Sequence, residues 1–99
     1  MDHIHPGADT LALPPILNLT AAAALLENLL TLRGRPLSLN AGDVQRLGAQ
    51  CLQVLLAARA AWAADEQELS LADCSEDFLT TLNLFGVAPK SLTYCKELP

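Results

Sequence analysis

The sequence has little of what catalytic and ligand-binding motifs are built from. Only two histidines occur, His3 and His5, both in the polar opening "MDHIHPGAD". Ser-His-Asp or Cys-His catalysis needs a histidine held inside the fold, so an enzyme of that kind is not expected. An HxH pair can ligate a metal, but no nearby element supplies a further ligand, so neither a metal nor another cofactor is expected. Gly34, Gly42, Gly48 and Gly86 stand singly. They write neither a GxGxxG motif nor a phosphate-cradling loop, which argues against a nucleotide hydrolase and leaves no small-molecule ligand expected.

Positive charge is also scarce. Six Lys and Arg face eleven Asp and Glu, for a net charge of -5. Neutralising phosphates takes clustered cations, so nucleic acid is excluded as a partner. No apolar run approaches the roughly 20 residues that span a bilayer: the stretch Val54 to Ala58 stops at Arg59. The opening residues carry neither a basic region nor an apolar one, so no signal peptide is expected and the chain is placed in the cytosol. Three cysteines, Cys51, Cys74 and Cys95, are an odd number without CxxC spacing. That fits neither a disulfide framework nor a zinc site, and buried or incidental thiols are expected.

What the chain does have is apolar content. Hydrophobic residues make up 52% of its 99 positions and charged ones 17%, enough to offset ordering entropy in one domain without a staple. Residues 1–9 read as a flexible tail and residues 10–99 as a single domain. In "TLALPPILNL", Leu11, Leu13, Ile16, Leu17 and Leu19 surround Pro14 and Pro15. Two short edge strands or one broken strand would tolerate those prolines. Thr20 can then cap a helix over about 21–33, with Ala22, Leu25, Leu26, Leu29 and Leu32 or Arg33 at helical spacing and Gly34 as its stop. "RPLSLNA" reads as a strand.

A second helix is predicted over about 49–64, burying Cys51, Leu52, Leu55, Ala58 and Trp62 at spacings of three and four. Arg59 falls on the core side, where its head would snorkel to the edge. "QELSLAD" alternates as a strand. Ser75 can cap a third helix over about 76–85, with Phe78, Leu79, Leu82 and Phe85 inward and Gly86 beyond its end. Residues 87–99 read as a last strand or helix carrying Leu92 and Tyr94. Strands separated by helices imply an α/β fold, a mixed, mostly parallel sheet of four or five strands covered by helices.

Two features are candidates for function. The acidic residues Asp65, Glu66, Glu68, Asp73, Glu76 and Asp77 flank a strand and open a helix, where solvated charge or helix-dipole complement is the ordinary role. On the second helix, the side opposite Leu55 carries Gln50, Gln53, Ala57, Ala60 and Ala64 and is almost uncharged. A plain surface rich in helix formers and a docking face both fit it.

The ordered set Leu39 and Asn40, Val44, "GAQCL", Val54 and Leu55, and "FGV" at 85–87 resembles the STAS family, over roughly residues 10–88. That family is shared by sulfate transporters and anti-sigma factor antagonists. Its pattern is an apolar strand ending in Asp, small residues, Val, an Asp-Ser/Thr-Ser/Ala-Gly-Leu turn opening a helix, and a later helix end. The resemblance implies a STAS-type sandwich and places Gly48 at the turn's Asp, Ala49 at its phosphorylatable Ser or Thr, and Cys51 at its Gly. Asn40 stands at the strand-end Asp.

A phosphoserine at a helix N-terminus is an anion met by free N–H groups, or a repulsive switch against an acidic partner. Ala49 has no hydroxyl, so the resemblance implies a degenerate phosphosite. It also implies a non-catalytic module that binds partners, often ATPase domains of the histidine-kinase type. The wording "RLGAQCLQVLLAA" is similar to short single-domain STAS proteins of bacterial chemotaxis clusters, which implies docking on a chemotaxis histidine kinase and an effect on its phosphotransfer. An anti-sigma factor antagonist and an accessory subunit of a lipid-transporting ATPase are the alternatives. The implied partner surface is Asp43, Gln45, Arg46, Gly48, Ala49 and Gln50 in the turn, continued by Gln53, Ala57 and Ala60.

Overall fold

The computed structural model describes residues 9–95. His3, His5 and most of the expected tail lie outside the described residues, as do residues 96–99. Among the described residues five strands and three α-helices alternate, in an α/β architecture whose named strands all pair in parallel. The strands divide between two small sheets instead of forming one. β1 (Asp9–Ala12), β3 (Leu37–Asn40) and β5 (Leu69–Ala72) form the larger, in the order β1-β3-β5, with Asp9 opposite Leu37 and Leu37 opposite Leu69. β2 (Ile16–Leu17) pairs with β4 (Arg46–Leu47) in the smaller.

The cause of the division is in the chain. Pro14 and Pro15 have no N–H to give to a ladder, so β1 ends before them and the chain resumes as β2. Across from them β3 ends at Asn40, whose carbonyl still takes the Leu13 N–H at 2.9 Å. The Pro15 carbonyl then accepts from both Gln45, at 2.7 Å, and Arg46, at 3.1 Å. Both strands therefore break at the same level and re-pair beyond it. The reading of two short strands around the prolines is the one realised. β4 escapes a periodicity search because two residues define no period.

α1 spans Leu19–Leu32, α2 spans Ala49–Ala64 and α3 spans Glu76–Leu84. α2 has the bounds and the five buried residues that its spacing predicts. α1 begins earlier than expected because its cap is Asn18, not Thr20: the Asn18 side chain accepts the Ala21 N–H at 3.1 Å. Asn is at least as good a cap as Thr, and Thr20 falls inside the first turn. Gly34 and Gly86 follow α1 and α3 with φ of 96° and 75°, the left-handed geometry that stops a helix. Ser75 caps α3 as expected, accepting from Phe78 N at 3.0 Å.

The core takes Leu25 and Leu29 from α1, Leu37 and Leu39 from β3, the α2 stripe, and Phe78 and Leu82 from α3. Two residues assigned inward, Leu79 and Phe85, are not there, and Leu26, one of the leucines at helical spacing on α1, is exposed as well. Leu26 is 46% exposed, Leu79 40% and Phe85 46%. A nine-residue α3 packed through Phe78 and Leu82 turns only a narrow arc inward, and Phe85 lies past its last helical residue. The C-terminal segment answers to both readings: a 3-10 turn at Pro89–Leu92 buries Leu92, and Tyr94 then bridges Leu69 in antiparallel sense, N to O at 2.8 Å each way. Arg59 does reach the edge. Its Nε donates to the Thr93 carbonyl at 3.1 Å and its guanidinium lies 6.0 Å from the Tyr94 ring centre, pinning that segment to α2.

Two polar contacts join the far ends of α1 and α2. Arg33 Nε donates to Asp65 Oδ2 at 2.8 Å, and this bond holds the Asp65 carboxyl below its usual range. The pair's contribution is present at neutral pH and lost as pH falls through that lowered value; both groups are exposed, so it is small. The Trp62 indole N–H donates to the Arg35 carbonyl at 2.7 Å, with the ring buried under α1 and α2. Trp62→Phe removes this bond and leaves a void, which should cost about 1–3 kcal/mol. An unchanged urea midpoint for that variant would show that the anchor contributes nothing.

Candidate functional site

The segment from Asn40 to Gly48 is held from three sides. Asn40 Oδ1 accepts the Gly42 N–H at 2.9 Å, the Ala41 carbonyl accepts from Val44 at 3.3 Å and from Ser75 at 3.0 Å, and the Ser75 hydroxyl donates to the Val44 carbonyl. Ala41 and Val44 are buried beneath it. Gly42 permits the fit, since a Cβ there would lie 2.9 Å from the Asp73 carbonyl. What lies between β3 and α2 is thus a fixed ledge, tied by Ser75 to the start of α3.

Beyond the ledge, β2 and β4 each run straight into a helix. Gly48 N–H bonds the Leu17 carbonyl at 2.8 Å, and the Cys51 thiol donates to the Asn18 carbonyl at 3.3 Å. The starts of α1 and α2 therefore stand side by side. Burial pushes the Cys51 thiol pKa up, which keeps it protonated and able to donate. Gly48 caps α2 without a side chain, and neither α1 nor α2 has an acidic residue in its first turn.

Asp43, Gln45, Arg46, Ala49 and Gln50 are exposed along this ledge and helix start, with Gly48 half-buried. Gln53, Ala57, Ala60 and Ala64 are exposed along α2. On α2 these positions recur at spacings of three and four and so share one face of the helix. Ala49, at the first helical position, presents an exposed methyl group. The acidic residues divide: Asp65 is engaged by Arg33, while Glu76 and Asp77 sit in the first turn of α3, where they complement its dipole.

Asn40 has a structural role that its comparison with Asp does not reveal. While Oδ1 holds Gly42, Nδ2 donates to Asp73 Oδ2 at 3.3 Å. An Asp at position 40 would set two carboxylates against each other.

Sequence reasoning missed one part of this region. Leu19, Leu26 and Leu30 are 72%, 46% and 59% exposed on α1, and a cleft of about 200 Å³ runs between α1 and α2, with Ala57 on its lip. The signal was the second stripe at 19, 23, 26 and 30, hidden behind the stronger core stripe of a leucine-rich helix. Among the described residues no helix is long and apolar enough to cross a membrane, and no group of three or more His, Cys, Asp or Glu side chains is placed to hold a metal ion.

A family model described as "Mlab, STAS domain" matches residues 2–93 of the chain. No curated protein matches it significantly.

The Asn40 contact gives a test of the ledge. Asn40→Asp should lower stability at neutral pH by about 1 kcal/mol or less, the scale of exposed charge pairs. The gap should close on acidification, since protonation removes the repulsion between the carboxylates. Thermal melts of both proteins across the acid range check this, and a pH-independent difference would contradict it.

Proposed function

The chain belongs to the STAS domain family, and from that premise we propose that it is a cytoplasmic, non-catalytic protein-binding module that docks on a chemotaxis-type histidine kinase and modulates its phosphotransfer. The observation that carries this reading is the ledge and the helix start it delivers. A rigid, hydrogen-bonded turn presents Ala49, without a hydroxyl, at the first position of α2. A surface of this kind has no phosphate to gain or lose at that point, so its binding is constitutive. The docking face is the turn at 43–50 with Gln53, Ala57 and Ala60, and on its α2 part the absence of charge keeps the desolvation cost of association small.

A partner of another kind, an anti-sigma factor or a lipid-transporting ATPase, would use the same surface. Pull-down from matched panels of the three partner types distinguishes them. Capture of one of the others in place of the kinase replaces the partner and keeps the module.

Two outcomes are expected. Incubation with candidate kinases and ATP should add no stoichiometric phosphate by intact mass; a phosphate mapped to residues 44–54 would overturn the reading of the turn. Gln53→Arg and Ala57→Arg should each leave folding within about 0.5 kcal/mol, as exposed changes do, yet weaken kinase capture by about tenfold or more, because an unpaired charge is desolvated at the interface. Leu55→Arg is the contrast, since it buries a charge in the core and should unfold the domain. If both exposed variants capture the kinase like wild type, this face of α2 is not the interface and residues 73–77 become the next candidate.

A further inference from the structure

α1 carries two stripes. Leu25 and Leu29 face the core, while Leu19, Ala23, Leu26 and Leu30 recur at spacings of four, three and four on its exposed side. Because α1 and α2 start side by side and run together, the later part of this second stripe, Leu26 and Leu30, borders a groove, and Leu19 and Ala23 continue the stripe beyond it. Leu26 and Leu30 form one wall, Val54, Ala57 and Ala61 the other, and Trp62 lies in the floor, around a volume of about 200 Å³. We propose that this groove receives one basic amphipathic helix of a partner protein. The proposal rests on the chain's being a protein-binding module and is independent of the kinase assignment.

Three observations select that occupant. From Leu19 to Leu30 the stripe rises about 16 Å at 1.5 Å per residue, the length of three helical turns, and anchors at such spacing are how a groove reads one helix. The stripe is a single line of side chains, the footprint of one helix, whereas a stable interface between copies covers roughly 800 Å² per side, so a helix and not a second copy of the chain is the occupant this face fits. Charge then sets the sign of the helix. The chain carries -5, Glu27 flanks the stripe and is exposed, and the cation at the groove's end, Arg33, is engaged by Asp65. An acidic helix would be repelled, whereas a basic one would be steered in.

The test uses a synthetic peptide of about eighteen residues, long enough to hold a helix, with leucines at i, i+4, i+7 and i+11 and lysines on the remaining faces. Its controls are the same stripe with glutamates for lysines and a scrambled lysine peptide. Fluorescence anisotropy should show saturable binding of the lysine helix alone. Leu26→Gln combined with Leu30→Gln should weaken it by about tenfold or more, the scale of central anchors, as should Ala57→Leu, which fills the groove from the other wall. Leu84→Gln, which removes an exposed leucine on α3, should leave it unchanged.

Equal binding of the scrambled or glutamate peptide would overturn the proposal, as would wild-type affinity in the groove variants. Concentration-dependent dimerisation abolished by Leu30→Gln would overturn it too, by identifying a second copy as the occupant. The assay contains no kinase, so failed kinase capture with intact peptide binding removes only the kinase assignment.

Discussion

The bond from Gly48 N–H to the Leu17 carbonyl, 2.8 Å long, fixes where two helices begin. It closes the short β2–β4 pair and sets the start of α2 against the start of α1, and the Cys51 thiol repeats the tie one turn on, at the Asn18 carbonyl. The core depends on this registration because α1 and α2 bring Leu25, Leu29, Leu55 and Trp62 together only if their starts are level. So does the surface. Both the ledge that leads to Ala49 and the groove between the helices are consequences of two strands entering two helices side by side.

Such an arrangement is sensitive to backbone proximity. A Cβ at position 48 would stand 3.3 Å from the Leu17 carbonyl, and one at position 42 would stand 2.9 Å from that of Asp73. Neither glycine has a left-handed φ, so what each supplies is room for a neighbouring main chain, not conformational freedom. That need explains why isolated glycines that form no phosphate loop still sit at both ends of the ledge. Their service is to let β5 and β2 close on it.

Much of the fold was legible where burial imposes a period. α2 could be read to the residue because its core stripe is unbroken over about three turns and the helix is bounded by Gly48 and Asp65. α3 showed its cap, Ser75, and its stop, Gly86. Legibility failed where geometry is set by tertiary contact. Asn18 and Thr20 are both good caps, and only the β2–β4 pairing decides that the helix begins after the first. Leu26 and Leu79 are leucines at helical spacing, yet apolarity does not report which side of a crowded helix a neighbour occupies. The division into two sheets was hidden because the prolines announce a break without saying that the opposite strand breaks at the same level.

The candidate site shows the same split between pattern and cause. From sequence alone, Asn40, Gly48, Ala49 and Cys51 are four departures from the STAS pattern and look like one event, the dismantling of a switch. In the structure they are not equivalent. Asn40 bridges Gly42 and Asp73, Gly48 makes room for the Leu17 carbonyl, and Cys51 donates to Asn18. Three of the four are therefore held by packing and hydrogen bonds that the pattern's own residues would disturb. Ala49 is the exception, exposed and bonded to nothing through its side chain. The fold does not require an alanine there, whereas the other three residues hold the ledge and the start of α2 in place.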